Sequence, residues 1–422
     1  MKVLVLGAGV VGMATAWYLW RDGHEVTVVE RHAGPADETS FGNAGGLCPS
    51  FAGPWAAPGM VGKVMRMLLQ ADAPIRFRPQ ASLHQWRWIA RWVGECNAER
   101  YRLNKLRMQR VAHYSLACLR SLAQEANLHD FDFHADGTLW LFRTPQEAEL
   151  GRLATRALDD FEVPWRWLEP DEVDAREPAL ARRTAAIAGA LLLPADASGD
   201  SHRFSQALAQ RLSARGVDFR FNTTVHALET EGDRVSGVRS SAGRLQADAY
   251  VVALGNQAPF LLRPLGMNLP VYPLKGYSIT VPCLADAPDI RPALMDEHNK
   301  VMISRLGTRI RAAGMAELGG YGLQAHPDRR DMLLRVVREF VPHGMDEANV
   351  AFWAGLRPMT PDGPPILGPT RWRGLFLNSG HGSNGWTQAC GTSRIVATLV
   401  GGGVPEIDLD GLTGERFGIA PR

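Results

Sequence analysis

The stretch Lys2-Val3-Leu4-Val5-Leu6-Gly7-Ala8-Gly9-Val10-Val11-Gly12, read on to Glu25-Val26-Thr27-Val28-Val29-Glu30, decides the fold. Val3 to Leu6 is a run apolar enough for a buried strand. Residues 10–20 have the length and apolar content of a buried helix, and residues 25–29 form a second strand after the Asp22-Gly23 break. Parallel strands joined by a helix imply a doubly wound sheet. Gly7 permits the tight turn, Gly9 lets the backbone approach a pyrophosphate, and Gly12 lets helix and strand pack closely. Ala8, Val10 and Val11 complete the turn, where the helix N-terminus offers N–H groups and its positive dipole end. Glu30 lies eighteen residues past Gly12, at the end of the second strand. There its carboxylate can accept hydrogen bonds from both hydroxyls of a ribose. A bare GxGxxG is a weak signal; strand, helix, second strand and terminal acid together make this one strong.

Two later glycine loops bear on which dinucleotide is bound. Glu30 followed by Arg31 suits an adenosine without a 2′-phosphate, which fits FAD and NAD alike. Ser40-Phe41-Gly42-Asn43-Ala44-Gly45-Gly46 is a small polar loop soon after Glu30. Ser40, Asn43, Ala44 and Gly45 are its candidates for reaching pyrophosphate and flavin. Gly380-His381-Gly382-Ser383-Asn384-Gly385-Trp386 runs into the last helix. A helix N-terminus under an isoalloxazine ring stabilises negative charge on the reduced flavin. An NAD enzyme has no need of so late a loop, so FAD is the expected cofactor. Gly255, at the end of the apolar strand 249–254, joins the candidates.

The chain has 422 residues, 45% of them hydrophobic, enough for a large core and two or three domains. Lys plus Arg total 46 against 44 Asp plus Glu. So balanced a charge argues against nucleic acid as a partner, which needs a concentrated basic surface. Five scattered cysteines show no CxxC pair, so no metal is expected and a reducing, cytoplasmic compartment is. Glycines follow the first apolar residues at once, which gives no signal peptide, and no stretch approaches the apolar length of a membrane span. Peripheral contact with the inner face of the plasma membrane stays open through Trp86-Arg87-Trp88-Ile89-Ala90-Arg91-Trp92-Val93, preceded by residues 60–69. Trp and Arg on one helix suit a membrane interface, although a domain-packing helix reads the same way.

Residues 51–193 are rich in Trp, Arg and helix formers, with one strand-like patch at 137–142. Helices are expected at 204–215, 328–340 and 388–400, and strands at 218–221, 276–281, 301–304 and 309–313. The expected architecture is α/β. A Rossmann-like FAD-binding domain is built from residues 1–50, 195–266 and 355–422. An α+β substrate-binding domain with a mixed sheet takes residues 51–194 and 267–354.

Three further stretches carry a resemblance. They are Ala52-Gly53-Pro54-Trp55-Ala56-Ala57-Pro58-Gly59, Val271-Tyr272-Pro273-Leu274-Lys275-Gly276-Tyr277-Ser278, and Gly355-Leu356-Arg357-Pro358-Met359-Thr360-Pro361-Asp362-Gly363. With the Gly380 loop, these make the chain resemble the D-amino acid dehydrogenases of the FAD-dependent D-amino acid oxidase superfamily over nearly its whole length. The resemblance implies that Arg357 holds the substrate carboxylate, as suits a planar guanidinium. It places Tyr277 as a residue that could face the pocket, His381 under the flavin, and Val225 where a backbone group meets the adenine. It implies hydride transfer from Cα to flavin N5, hydrolysis of the imine to a 2-oxo acid and ammonium, and electrons passed to a quinone or similar acceptor. Phe41-Gly42, Asn299 and Ser383-Asn384 depart from the family pattern near the expected substrate. They leave open a cyclic D-imino acid such as D-proline or hydroxyproline. The competing readings are a flavin oxidase of glycine, sarcosine or a 2-hydroxy acid, and a non-catalytic flavin-binding subunit.

Overall fold

The computed structural model describes residues 1–67 and 74–420. Leu68 and Leu69, from the stretch weighed for membrane contact, residues 70–73 within the expected 51–194 segment, and residues 421–422 at the end of the expected 355–422 segment lie outside the described residues.

The strand Lys2–Leu6 sits inside a six-stranded sheet. Glu25–Val29 pairs with it in parallel on one side and Ala249–Val252 on the other. Asp218–Arg220 extends the first edge, and Leu375–Ser379 the second, both in parallel; Ile366–Pro369 closes the second edge antiparallel. Alternation of side chains along Lys2–Leu6 divides its apolar residues between two cores. Val3 and Val5 join Met13, Trp17, Phe204 and Trp386 under the helices Val10–Arg21, Ser201–Ser213 and Gly385–Val400. Leu4 and Leu6 face Leu228, Val238 and Tyr250, beside a three-stranded meander that starts at Val225–Glu231.

A second, nine-stranded sheet lies alongside. Tyr272–Pro282 runs antiparallel between Ala351–Met359 and Arg309–Leu318. Val301–Leu306, Ala293–Asp296, Thr138–Phe142, Gly189–Leu193 and Arg166–Leu168 follow in order, and Ile75–Phe77 joins Arg309–Leu318 in parallel. The sheet is mixed, as expected, and Pro327–Phe340 packs Leu333, Val337 and Phe340 against it.

One expectation is corrected. Residues 51–193 hold Ile75–Phe77, Arg166–Leu168 and Gly189–Leu193 as well as the single anticipated strand. Each is three to five residues long and is fixed by pairing with a partner distant in sequence, so local periodicity carries little trace of it.

Candidate functional site

The glycine turn is shaped by close backbone approach. Gly7 has φ +102°, donates its N–H to Val29 O at 2.8 Å, and would place a Cβ 2.7 Å from Ala253 O. A Cβ on Gly12 would lie 1.9 Å from Gly7 O, so helix and strand could not meet there with a larger residue. Gly9 caps the helix, and the Val10 N–H donates to Ser40 Oγ at 3.1 Å. Glu30 is held by two backbone donors, Ala8 N at 2.8 Å and His32 N at 2.9 Å, one to each carboxylate oxygen. Arg31 turns outward to Glu38.

A cavity of about 930 Å³ opens from this turn toward the second sheet. Gly7, Gly9, Val10, Val11, Glu30, Arg31, Ser40, Asn43, Ala44, Val225, Gly255, His381, Gly382, Ser383, Asn384, Gly385, Tyr277 and Arg357 all line it. Ala8, Gly12, Gly45 and Gly380 do not; they are packed behind the lining, Gly380 (φ +79°) against Thr360. The 40–46 loop is held by two side chains. Ser201 Oγ donates to Ser40 O at 2.7 Å, and Arg311 Nη1 donates to Phe41 O at 2.8 Å and Asn43 O at 3.3 Å.

The late loop delivers the N-terminus of Gly385–Val400 to the cavity wall. His381 is buried, and burial pushes its imidazole down to about 3, so the ring is neutral. Its Nε2 lies 3.0 Å from Thr392 Oγ1, a hydroxyl also 3.0 Å from Gln388 O. The ring therefore faces the helix behind it.

Arg357 stands on the second sheet, two residues before Met359, which bridges to His381 of the late loop. Its strand neighbours Trp353 and Gly355 share its face, as do Leu274, Gly276 and Ser278 opposite them. The missing side chain of Gly276 makes room for the guanidinium, which a Cβ would meet at 2.4 Å. Nη1 donates to Met315 O at 2.8 Å, and Nη2 lies 3.5 Å from Gly314 O. No carboxylate lies within ion-pairing distance among the described residues, and burial pushes the group down to about 10, still cationic at neutral pH. Tyr277 borders the cavity, but its side chain belongs to the face of the strand opposite Arg357. Its ring stacks on Phe352 and its hydroxyl donates to Glu317 Oε2 at 2.9 Å.

The residues present fit a flavin dinucleotide. The cradle excludes side chains at Gly7 and Gly12. The cavity wall carries Asn256 Oδ1, Asn378 Oδ1 and Ser379 Oγ, buried polar atoms with no hydrogen-bond partner among the described residues. At 930 Å³ the volume is near the top of the range for ligand sites, as a dinucleotide with a small substrate requires.

Several wall residues were not singled out from the sequence. Trp353 lies over two glycines: a Cβ on Gly42 would be 2.1 Å from its ring, and one on Gly355 1.7 Å. Period-two alternation from Arg357 would have put Trp353 on the same face. Trp55, inside the Ala52–Gly59 motif, donates from Nε1 to Ser383 Oγ at 3.2 Å. Asn299, expected near substrate, instead donates to Asp296 Oδ2 and is not among the lining residues.

Comparison with known proteins agrees with this geometry. A family model described as FAD dependent oxidoreductase matches residues 2–399. A D-amino acid dehydrogenase from Bradyrhizobium diazoefficiens is 45% identical over 417 residues, covering 99% of both chains. One from Rhizobium johnstonii is 47% identical over 419 residues, covering 99% of this chain and all of the other. Among solved structures, a glycine oxidase from Geobacillus kaustophilus superposes with a TM-score of 0.75 at 23% identity, covering 98% of each chain. An L-proline dehydrogenase from P. horikoshii also reaches 0.75, at 18% identity, covering 99% of this chain and 97% of the other. These two likenesses establish the shared fold. With one family model spanning nearly the whole sequence, and relatives this similar from end to end, the chain belongs to the FAD-dependent oxidoreductase family.

Proposed function

We propose that the chain oxidises a D-amino acid or cyclic D-imino acid at Cα, giving the imine and then the 2-oxo acid. The observation that carries this reading is Arg357, a buried guanidinium without a carboxylate partner among the described residues, on the wall of the cofactor cavity. Bound FAD supplies the acceptor for two electrons. Arg357 grips the substrate carboxylate with parallel N–H···O bonds and fixes which Cα substituent faces the flavin side. Ala316 and Tyr321 line the same cavity. Such walls exclude water and disfavour a charged ammonium, so the amine binds neutral and no strong protein base is needed. The relatives named D-amino acid dehydrogenase support the substrate class. Arg357→Ala should raise KM about a hundredfold or more, since losing one partner of a buried charge pair costs roughly 3 kcal/mol, while flavin stays bound. An unchanged KM rules out the anchor.

We assign Gly7, Gly9, Val10, Val11, Glu30 and the 40–45 and 380–385 loops to FAD, with Val225 beside the adenine. Residues 1–50, 195–266 and 355–422 form the cofactor-binding domain. All strands of the six-stranded sheet come from these segments, while Ala351–Met359 crosses the last boundary and carries Arg357 on the second sheet. We further infer a cytoplasmic enzyme that passes electrons to a quinone-type acceptor at the membrane surface. Supporting this, Leu83–Glu95 buries Trp88 but exposes Leu83, Trp86 and Val93 beside Arg87 and Arg91.

A further inference from the structure

Arg309–Leu318 is irregular at one point. Opposite it, Tyr277 pairs with Gly314 and Lys275 with Glu317, so Met315 and Ala316 together face Gly276 alone. This is a β-bulge, and Met315 within it has φ +61°, a conformation costly for a side-chain-bearing residue. The bulge turns the carbonyls of Gly314 and Met315 toward Arg357. On the other face of the sheet, Glu317 is 2% exposed and receives three groups. Tyr277 donates its hydroxyl at 2.9 Å, Lys275 Nζ lies at 3.0 Å and Arg78 Nε at 3.2 Å. Burial alone would raise the Glu317 carboxyl; the bonds from Lys275 and Tyr277 more than reverse that and keep it ionised. Tyr277 and Glu317 stand on opposite flanks of the bulge, so their hydrogen bond closes across it.

We propose that Tyr277 and Glu317 are positioning residues for substrate recognition: their bond holds the strained Met315 bulge, whose carbonyls aim the Arg357 guanidinium into the cavity. The inference rests on Arg357 being the carboxylate anchor, and it gives Tyr277 a role exerted through the bulge, not by touching substrate. A strained backbone conformation persists only where its surroundings over-determine it. Removing the staple therefore lets the bulge relax and swings both carbonyls away. Glycine at position 315 adopts the same conformation without strain and needs no staple.

The test uses the FAD-loaded protein and the Kd of benzoate, an aromatic carboxylate without an amine, read from the flavin absorption band. Tyr277→Phe, which removes only the hydroxyl, should weaken benzoate at least fivefold. Adding Met315→Gly to that variant should restore the Kd to within about twofold of the parent. General loosening of the core would not be rescued by a glycine, which adds chain entropy to the unfolded state. An unchanged Kd in Tyr277→Phe, or no recovery in the double variant, overturns the inference. Arg357→Ala separates the two readings. If it weakens benzoate while Tyr277→Phe does not, the anchor stands and the positioning role falls. If it leaves benzoate binding as in the parent, or the parent binds none, both fall.

Discussion

Asp196 shows how much a single buried group can weigh in this molecule. It is fully enclosed beside Cys48, and its Oδ1 accepts from Ser50 N at 3.1 Å. Burial pushes its carboxyl up to about 6. A raised pKa stabilises the fold below the unfolded value of about 4 and withdraws that stability as pH rises through 6. Asp196→Asn should therefore be more stable than the parent at pH 8, by up to about 3 kcal/mol, with the gap closing below about pH 4. Thermal melts at the two pH values check this, and equal gaps would contradict it. None of this was legible in the sequence, where Asp196 is one acid among 44 Asp and Glu. Arg357 was legible only because Gly355–Gly363 is a long stretch resembling a known family; an isolated arginine has no such mark. Gly7, Gly9 and Glu30 needed no resemblance, since their spacing between two strands states the chemistry.

At the scale of elements, glycines decide how closely the two sheets approach the cofactor cavity. Gly42, in the 40–46 loop, and Gly355, on the Arg357 strand, both leave room for the Trp353 ring. Gly42→Ala should push the indole aside, costing about 1–3 kcal/mol in stability as overpacking does, with weaker FAD retention. Urea titration and the flavin-to-protein absorbance ratio read the two effects. No change in either would mean that the loop yields freely. The first βαβ unit was readable because its hydrophobic periods are local. The Met315 bulge was not, since it appears only when Arg309–Leu318 is laid against Tyr272–Pro282. Gly276-Tyr277 likewise hid a division of labour. Adjacent strand residues point to opposite faces, so the glycine serves Arg357 while the tyrosine serves Glu317.

Over the whole molecule, segments far apart in sequence converge on one cavity: the N-terminal turn, the Val225 strand, the Arg357 strand and the 380–385 loop. That convergence explains why motifs scattered over the chain could be placed in order but not docked from sequence alone. It also leaves the Leu83–Glu95 helix at the surface, with its exposed Leu83, Trp86 and Val93. Vesicles rich in anionic lipid should pellet the protein at low salt and release it at high salt. Failure to pellet would remove the support for a membrane-surface acceptor. The central claim, oxidation of D-amino acids, is tested most directly by following the visible flavin band of the purified protein without oxygen, as D- and L-amino acids are added one at a time. The account predicts bleaching by D-forms, D-proline included in the series, and none by their L-counterparts. A flavin band that no amino acid bleaches, or that L-forms bleach equally well, would contradict it.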